Sequence, residues 1–597
     1  MDQTKFKGHQ NQMFKRAFIF FSVLLSLFNL NASARNLPDS GEYKIRLNQV
    51  GFYPAASKIA VIASEKGTEF YVQTQAKKTV FKGRLKRSLK PGFSNKYTLI
   101  ADFSEFNKPG KYIINIPGVG NSYPFNIEPN VHHSVAAGSI KAYYFMRASI
   151  PIEEKYAGKW KRAAGHPDDK VLVHASAVTQ QRPEGTMISS PKGWYDAGDY
   201  NKYIVNSGIS TYTLLALYED FPEYMRTVKL NIPESGNGIP DLLNETLWNL
   251  RWMLTMQDSD DGGVYHKLTN IEFDGMIMPD QATKPRFVVM KTTAATLDFA
   301  AVMAQASRVF KQFPKLLPGL SDSCLDAAKR AWKWAAINPR VIYSKETIQQ
   351  FKPPVTTGDY GDKDVSDEFV WAASELFVAT KNSTYAKAIN LVTDDRMLLP
   401  SWNQVRMLGY YSLLRHRGAL AGSFKDVPEL KKRFLAFADN MIKDGDKTAF
   451  RSVMYKNKTN FPWGSNSVAA NQGMALIQAY KLSGDKKYLD FALANLDYLM
   501  GRNGTGYCYV TGFGSKSPMH PHHRLSVADG VVEPVPGLLA GGPNPGMQDH
   551  IRLPSMVPDE AYIDDERAYA VNEIAINWNA PFAYLANALE ALQSDLH

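Results

Sequence analysis

The stretch YIDDERAYAVNEIAINWNA, residues 562–580, sets Asp564 and Glu573 among aromatic side chains. From Pro581 onward apolar residues recur at helical spacing, and proline suits the first helical position, where no backbone N–H is needed. The pattern predicts a final helix that begins at Pro581, with Glu573 in the irregular segment before it. Burial beside aromatic rings raises the pKa of a carboxyl group, which suits a proton donor at neutral pH.

A second acidic loop, GWYDAGDYNKY at residues 193–203, holds Asp196 and Asp199 on either side of an Ala-Gly pair. The glycine permits a tight turn that can direct both carboxylates the same way. A DxxD loop alone is most often a helix cap or a solvated turn. Together with a distant Glu and many aromatic residues, it supplies what glycoside hydrolysis needs. One carboxyl protonates the leaving oxygen, another activates water, and flat rings stack on sugars.

With TGFGSKSPMHPHHRLS at residues 511–526, these two stretches resemble the signature regions of glycoside hydrolase family 9. The last stretch matches that signature at fixed spacing at Tyr562, Asp564, Tyr569, Glu573, Ala575, Asn579 and Ala580. The resemblance extends over residues 42–597 and implies an inverting β-1,4-glucanase on an (α/α)6 barrel. The expected fold class is therefore mainly α, with a small all-β domain in front.

The resemblance also implies roles for individual residues. Glu573 is expected to be the general acid and Asp199 the general base that polarises the attacking water. Asp196 would hold that water or tune Asp199, and Asp564 either belongs to the same catalytic wall or only orients its neighbours. Contacts with substrate are expected from His522, Arg524 and Tyr569.

Three aromatic residues elsewhere are candidate stacking platforms for a longer sugar chain: Trp463, Trp160 and Phe461. Burial inside a barrel is the commoner fate of such rings, so each has two interpretations.

Residues 1–34 are typical of a secretory signal peptide, with a basic start, an apolar run at 17–28 and a small-residue cleavage site at 32–34. The apolar run is too short to span a membrane, and no other stretch reaches the needed length. The sequence therefore predicts a secreted or periplasmic protein with no membrane span.

The formal net charge of +11 is spread along the chain, which favours a solvated or wall-adhering surface over nucleic-acid binding. Two cysteines, Cys324 and Cys508, cannot form a disulfide framework. The expected partner is a β-glucan polysaccharide or oligosaccharide, and the expected state is a monomer.

Residues 42–128 consist of short alternating runs separated by Lys-Pro-Gly turns at 90–92 and 108–110. This pattern predicts a small β-sandwich. It is similar to the immunoglobulin-like module that precedes the catalytic domain in one branch of family 9. The sandwich shows no aromatic platform, so a structural brace is expected rather than a sugar-binding module.

Residues 130–597 have helical periodicity and form the expected barrel domain. Candidate helices begin near His133, Ser207, Ile239, Thr292, Asp322, Val365, Ser383, Ser401, Val427, Ser465, Lys486 and Pro581. Residues 373–391 and 475–493 echo each other, since in each a helix ends, a polar turn follows and a Tyr opens another helix. Repeated hairpins of this kind close into a toroid.

The segment GDKDVSDEFVW at residues 361–371 offers four closely spaced acidic side chains: Asp362, Asp364, Asp367 and Glu368. Oxygen clusters suit calcium, although acidic residues are also favoured at a helix N-terminus. The family resemblance favours a structural calcium site, which Asn403 would weaken because relatives offer Asp there. Some family members build a zinc site from Cys and His in the stretch aligned with residues 147–174. This chain keeps His166 and His174 there but has no cysteine, so the resemblance implies no zinc.

Three functions stay open at this point. The first is an endo-β-1,4-glucanase, the second an exo-acting β-glucosidase or glucosaminidase, and the third a non-catalytic glycan-binding protein. The three acids Asp196, Asp199 and Glu573 favour an enzyme. Residues 158–191 are a candidate blocking segment, since exo action needs a cleft closed at one end. The exact glucan (cellulose, mixed-linkage glucan or xyloglucan) is left open.

Overall fold

The computed structural model describes residues 43–596, so the predicted signal peptide lies outside the described residues. In that part of the chain a β-rich region precedes a helical one. No helix within it is long and apolar enough to cross a membrane.

The β-rich region is a sandwich of two sheets. Its strands are β1 Ile45–Arg46, β2 Gly51–Phe52, β3 Ile59–Ile62, β4 Glu69–Thr74, β5 Thr79–Arg84, β6 Lys86–Arg87, β7 Leu99–Asp102, β8 Gly110–Ile116, β9 Gly120–Asn121 and β10 Phe125–Ile127. One sheet has the order β1-β3-β7-β6, the other β2-β10-β8-β4-β5, with β9 on β8. Side chains from both sheets share one core, where the rings of Phe103 and Phe125 pack edge-on against Phe52 at 5.2 and 5.4 Å.

The helical region is an (α/α)6 barrel. Its helices are α1 His133–Phe145, α2 Ile204–Asp220, α3 Asp241–Thr255, α4 Thr293–Phe310, α5 Leu320–Ile337, α6 Ser366–Thr380, α7 Ser383–Ala386, α8 Arg406–Arg415, α9 Val427–Ile442, α10 Ser465–Ser483, α11 Lys486–Leu499 and α12 Ile576–Ala591. The even-numbered helices are buried on almost every face, whereas α5, α9 and α11 bury one stripe. The predicted fold class is confirmed.

The helix predicted near Ser383 is wrong beyond its first turn. Of the two echoing segments, residues 475–493 form the predicted pair α10 and α11, but α7 ends at Ala386. The Tyr410 hydroxyl donates to the carbonyl of Asn390 and accepts from the N–H of Val392, at 2.7 and 3.1 Å. These bonds occupy backbone groups that a helix would use, so this outer position of the barrel carries a single turn.

The predicted start of the final helix at Pro581 is also wrong, since α12 begins at Ile576 and contains Pro581. A proline inside a helix leaves one carbonyl without its usual partner and is disfavoured. Tertiary contacts hold the early turn instead. Ile576 donates its N–H to Asp196 O at 2.9 Å, and the Tyr143 hydroxyl donates to Ile576 O at 2.6 Å.

A third sheet lies among the barrel loops. Its strands are β11 Val171–Val173, β12 Met187–Ile188, β13 Lys202–Tyr203, β14 Lys267–Thr269 and β15 Phe287–Val288, in the order β12-β11-β15-β14-β13. Strand β13 leads directly into α2, so the acidic loop before it is tied to this sheet. The candidate blocking segment 158–191 contributes β11 and β12 and is folded into the same sheet.

Buried polar contacts join the sandwich to the barrel. The Tyr53 hydroxyl donates to Glu590 at 2.7 Å, and the Asn48 amide donates to Asp497 at 2.9 Å. Within the described part of the sandwich, Leu89 is the large hydrophobic side chain that stands exposed. Such contacts fit the expected structural brace, and that role stays a prediction.

Candidate active site

Backbone hydrogen bonds join the three stretches that the sequence singles out. Besides the bond from Ile576 to Asp196, Arg524 donates its N–H to Gly198 O at 3.2 Å. His522 donates its N–H to Asn572 O, next to Glu573, at 2.9 Å. The acidic loop, the His-rich loop and the start of α12 therefore form one site.

Gly198 permits this close approach. A Cβ atom at this position would lie 2.5 Å from the carbonyl oxygen of His522, which no real side chain tolerates. The same Cβ would lie 3.3 Å from Glu573 Oε1, so the glycine backbone stands directly against the predicted acid. The Ala-Gly pair of the acidic loop is thus needed for the contact between loops as well as for the turn.

Glu573 has the electrostatics of a proton donor. Burial first, and then the negative charges of Asp199 and Asp196, raise its pKa well above the usual range, while the N–H of Gly198 and the charge of Arg524 oppose the rise. A raised pKa favours the protonated form of a carboxyl group, which is the form that a proton donor needs.

Asp196 is 2 % exposed and both of its carboxylate oxygens accept hydrogen bonds from the protein. The Asn206 amide donates to Oδ1 at 2.6 Å and the Tyr360 hydroxyl donates to Oδ2 at 2.7 Å. Burial and the neighbouring charge of Asp199 raise the pKa of Asp196 to about 8. Each oxygen of Asp196 therefore already has one donor from the protein.

Asp199 differs from Asp196 in having one free oxygen. Its Oδ2 accepts from the Asn201 amide at 2.6 Å and from the Tyr203 hydroxyl at 3.2 Å. No residue in the described range 43–596 donates to its Oδ1. Asp199 is therefore the aspartate of the pair that can receive a proton from a water molecule.

Tyr360 is a site residue that the sequence did not reveal. It has a left-handed backbone with φ of 45°, rare for a bulky residue. Its ring meets Tyr203 edge-on at 4.9 Å and Trp402 at 5.5 Å, while its hydroxyl reaches Asp196. The two glycines beside it, in GDYG, indicate a turn but do not point to Asp196.

Asp564 holds two loops together. Its carboxylate accepts from the N–H of Met519 at 2.7 Å, from the N–H of His520 at 2.9 Å and from the Asn572 amide at 2.9 Å. These bonds fix the His-rich loop against the residue that precedes Glu573. Of the two roles expected for Asp564, its contacts match the orientation of neighbours, and a catalytic role stays a prediction.

His522 and Arg524 lie side by side with different contacts. His522 Nδ1 is 2.6 Å from Glu566 O, which can only accept, so Nδ1 carries the proton and Nε2 is an acceptor in the neutral ring. Burial lowers its pKa. Arg524 is 7 % exposed and its guanidinium donates to Gly198 O at 2.7 Å and to Asp274 O at 2.8 Å. Arg524 thus positions Gly198, and its expected contact with substrate stays a prediction.

An open aromatic wall adjoins Glu573. Trp463 is 41 % exposed, its ring centroid lies 5.4 Å from that of Tyr569, and Tyr569 lies 5.8 Å from His522. Phe461 is buried, and Trp160 is half-buried with its indole N–H on Glu533 O at 2.9 Å. Of the three candidate platforms, Trp463 is the ring that stands open beside the acid.

A second exposed ring, not singled out by the sequence, lies near Arg524. Phe273 is 46 % exposed and its ring centroid lies 5.8 Å from the guanidinium of Arg524. Its loop is tied to the acidic loop, since the Tyr200 hydroxyl donates to Ile277 O at 2.6 Å. Its sequence, IEFDGMIMP, lacks any pattern that marks a ligand contact.

The acidic cluster before α6 divides into two parts. The Asp364 carboxylate accepts from the N–H of Ser366 at 3.1 Å, as expected at a helix N-terminus. Asp367 accepts from the N–H of Val405 at 2.7 Å. By contrast, both carboxylate oxygens of fully buried Glu368 lack a hydrogen-bond partner among residues 43–596.

Asp298 of α4 joins the inner part of this cluster. Asp298 is fully buried, and neither of its carboxylate oxygens has a hydrogen-bond partner in the described part of the chain. Oδ2 of half-buried Asp362 also lacks a partner there. Burial and the neighbouring charges of Asp367 and Asp362 raise the pKa of Asp298. Unpartnered buried carboxylates are costly and suit a hard cation. Across residues 43–596, however, no three His, Cys, Asp or Glu side chains converge as a ready metal site, so carbonyl groups and water would have to complete one.

The two histidines considered for zinc each have other contacts. His166 Nδ1 lies 2.9 Å from the Tyr195 hydroxyl, and His174 Nε2 lies 2.8 Å from Pro353 O. Close to them, buried Asp168 pairs with Lys202 at 2.7 Å and with Arg286 at 2.9 Å. The absence of zinc stays a prediction.

A barrel whose loops bring together a glutamate of raised pKa and two aspartates beside exposed aromatic rings has the groups that glycoside hydrolases use. Residues 132–586 match the family model described as Glycosyl hydrolase family 9. Residues 40–121 match the model described as Cellulase N-terminal ig-like domain. The chain belongs to glycoside hydrolase family 9.

Similar proteins support this assignment. The xyloglucan-specific endo-beta-1,4-glucanase of Bacteroides ovatus is 45 % identical over 552 residues, which are 92 % of this chain and 94 % of that protein. Endoglucanase D of Acetivibrio thermocellus is 33 % identical over 567 residues, which are 94 % of this chain and 85 % of that protein. The solved structure of a Bacteroides ovatus family 9 protein superimposes with a TM-score of 0.86 at 44 % identity, over 92 % of this chain and 99 % of that one.

Proposed function

We propose that this glycoside hydrolase is a secreted, inverting endo-β-1,4-glucanase. The observation that carries the catalytic assignment is the contrast between the two aspartates. Both oxygens of Asp196 are bound within the protein, whereas Oδ1 of Asp199 is free. Asp199 is the general base, Asp196 supports it, and Glu573 is the general acid.

The reaction uses these groups in one step. Glu573 donates its proton to the glycosidic oxygen as the bond to the sugar breaks. Asp199 Oδ1 takes a proton from a water molecule, whose oxygen attacks the anomeric carbon from the opposite face. The configuration at that carbon is inverted. Glu573 fits the acid role because its raised pKa favours the protonated form.

Endo action is the second part of the proposal. The wall of Trp463 and Tyr569 and the exposed ring of Phe273 near Arg524 offer apolar surface for more than one sugar unit. Segment 158–191 is engaged in the third sheet through β11 and β12. Both features support a cleft that accepts internal segments of a chain, rather than an exo-acting β-glucosidase or glucosaminidase.

The proposed substrate is a polymer with a β-1,4-glucan backbone. The printed names of both relatives describe endoglucanases, and the 45 % identical one is xyloglucan-specific, so xyloglucan is the first glucan to assay. A glycan-binding protein without activity is the weaker alternative, because Asp196, Asp199 and Glu573 are all present and assembled.

We further propose a structural calcium ion near the N-terminus of α6, with Asp362, Asp367 and Glu368 as candidate ligands, Asp298 nearby, and carbonyl groups and water completing the set. The unpartnered oxygens of Asp298, Asp362 and Glu368 support it. A cation there would supply charge compensation to buried carboxylates and takes no part in the steps above.

Secretion and a monomeric state are proposed from the N-terminal sequence and from the family.

Simultaneous viscometry and reducing-end assay tests the function on tamarind-type xyloglucan and on carboxymethyl cellulose, with Glu573→Gln as the blank. Endo action gives a steep early fall in viscosity with few new reducing ends. Release of monosaccharide at unchanged viscosity would overturn the endo proposal, and no release from any β-1,4-glucan would overturn the enzyme proposal.

A further inference from the structure

Lys267, the first residue of β14, has an unusual environment for a cation. It is fully buried, and no carboxylate in the described residues lies within 4.0 Å of its ammonium. Its Nζ donates to Thr357 Oγ1 at 2.9 Å and to Gly358 O at 2.7 Å. Burial lowers its pKa to about 7, while the charges of Asp359 and Asp199 oppose that shift. A fully buried lysine without a paired carboxylate is uncommon in proteins, because burial of an uncompensated charge is costly.

A chain of hydrogen bonds leads from this ammonium toward the base. Thr357 Oγ1 lies 2.7 Å from Thr269 Oγ1, and Thr269 Oγ1 donates to Asn201 Oδ1 at 3.0 Å. The Asn201 amide donates in turn to Asp199 Oδ2 at 2.6 Å. Thr269 and Thr357 are as buried as Lys267, so water does not compete for these bonds.

The direction of each bond follows from which groups can only donate. An ammonium has no acceptor, so Lys267 donates to Thr357, and the hydroxyl proton of Thr357 is free for Thr269. The N–H of Asn270 donates to Asn201 Oδ1 at 3.1 Å, which fixes the orientation of that amide and directs its N–H₂ group at Asp199. The Thr269 proton is shared between Asn201 Oδ1 and Asn270 O at 2.8 Å. All donors therefore run from the cation to the carboxylate.

We propose that Lys267 is a positioning residue for Asp199, acting through the hydroxyls of Thr357 and Thr269 and the amide of Asn201. This inference rests on the proposed role of Asp199 as general base. The chain holds Oδ2 in a fixed place, which directs Oδ1 toward the attacking water, and it stabilises the ionised carboxylate. Bonds aligned in one direction in a low-dielectric interior polarise one another.

Titratable groups surround Asp199. Its charge raises the pKa of Asp196 of the same loop, of Glu573 before α12 and of Asp274 of the loop after β14. It opposes the fall in the pKa of His522 of the His-rich loop and of Lys267 of β14, and the Tyr203 hydroxyl donates to its Oδ2 at 3.2 Å. Hydrogen bonds to the ionised form of a carboxyl group stabilise that form, and the chain supplies one through the Asn201 amide.

The test compares Thr269→Val, which is isosteric but breaks the chain, with Thr269→Ser, which keeps the hydroxyl. Lys267→Met removes the cation, and Thr357→Val removes the other hydroxyl. Thr246→Val is the matched control, because Thr246 is equally buried and its hydroxyl donates to Leu242 O of its own helix at 2.7 Å. kcat, KM and the pH–activity profile on xyloglucan are measured for each.

For Thr269→Val, Thr357→Val and Lys267→Met we expect kcat to fall about ten- to a hundredfold, as befits loss of a hydrogen bond to a charged group. KM should stay within about twofold, because none of these side chains meets the substrate. The acid limb of the profile should move to higher pH, since the base loses support for its ionised form. Thr269→Ser should restore both kcat and the acid limb, and Thr246→Val should match the wild type.

The variant Asp199→Asn distinguishes failure of the proposed base from failure of the positioning chain. If Asp199→Asn retains activity, the proposed base is wrong. If Asp199→Asn is inactive while Thr269→Val and Thr357→Val keep the wild-type kcat and acid limb, only the positioning chain is overturned. A Lys267→Met protein that does not fold leaves the decision to the two Thr→Val variants, whose shape is conserved.

Discussion

The backbone N–H of Ile576 donates to the carbonyl oxygen of Asp196 at 2.9 Å, which joins the two ends of the barrel sequence inside the catalytic site. Ile576 opens α12, directly after the acid loop, and Asp196 opens the loop of the base. The acid and the base are therefore carried by one hydrogen-bonded unit. Displacement of either loop moves the other, which makes the separation of the two carboxyl groups resistant to local change.

Removal of either catalytic group should lower turnover without unfolding the protein. Glu573→Gln and Asp199→Asn are each expected to reduce kcat on xyloglucan by about 10²–10⁴-fold, the usual contribution of general acid–base catalysis. On an aryl glycoside with a good leaving group, Glu573→Gln should recover more activity than Asp199→Asn, because that leaving group needs no proton. Asp564→Asn should lower kcat on xyloglucan by a smaller factor than either of these variants. Near-wild-type turnover of Glu573→Gln on xyloglucan would contradict the assignment.

Asp196 should make the folded state less stable as pH rises. Its pKa is raised to about 8 by burial and by Asp199, above the ordinary value of 3.8. The folded state therefore binds more protons than the unfolded chain between those values, and stability falls with rising pH across that window. Asp196→Asn has no such titration, so its Tm should fall less between pH 5 and pH 8 than that of the wild type. Parallel Tm curves for the two proteins would refute the raised pKa.

The open aromatic wall should matter for long substrates. Trp463→Ala removes an exposed ring that stands 5.4 Å from Tyr569. We expect KM on xyloglucan to rise about three- to tenfold, in line with the free energy of one aromatic contact. Activity on an aryl cellobioside serves as the internal control, and it should change little if Trp463 contacts a distant sugar unit. An unchanged KM on the polymer would remove Trp463 from the binding surface.

A calcium ion near α6 should stabilise the fold. EGTA is expected to lower the Tm and added Ca²⁺ to restore it, because a ligand that binds only the folded state stabilises it. Glu368→Gln should abolish this response. Asp364→Asn is the matched control, since Asp364 contacts the helix N-terminus and should keep the response. A Tm that ignores EGTA in the wild-type protein would leave the acidic residues as helix-terminal charges alone.

The stereochemistry of the product should be inverted. Proton NMR of the first reaction products from a β-linked oligosaccharide is expected to show the α-anomer of the new reducing end before mutarotation. Asp199→Asn gives the blank spectrum. Appearance of the β-anomer first would mean a retaining mechanism, with a nucleophile in place of the base.

Much of this protein follows from local sequence patterns. Strand alternation in the sandwich, the periodicity of helices such as α10 and α11 and the spacing of Asp564 and Glu573 are properties of short segments, because side-chain period and turn residues act within a few positions. The family signature identified the chemistry for the same reason. Asp196, Asp199 and Glu573 lie in loops that the sequence itself marks by glycine, aromatic and acidic residues.

The other features of the site depend on closure of the barrel. Closure brings together residues from segments that have no recognisable sequence pattern of their own. Tyr360 meets Asp196, Asp298 meets the cluster before α6, and Lys267 reaches Asp199 through Thr357. The start of α12 at Ile576 likewise depends on the carbonyl of Asp196, which outweighs the preference of Pro581 for a first turn. Hydrogen bonds and buried charges between distant segments have no period along the chain, so only the tertiary structure selects which of them form.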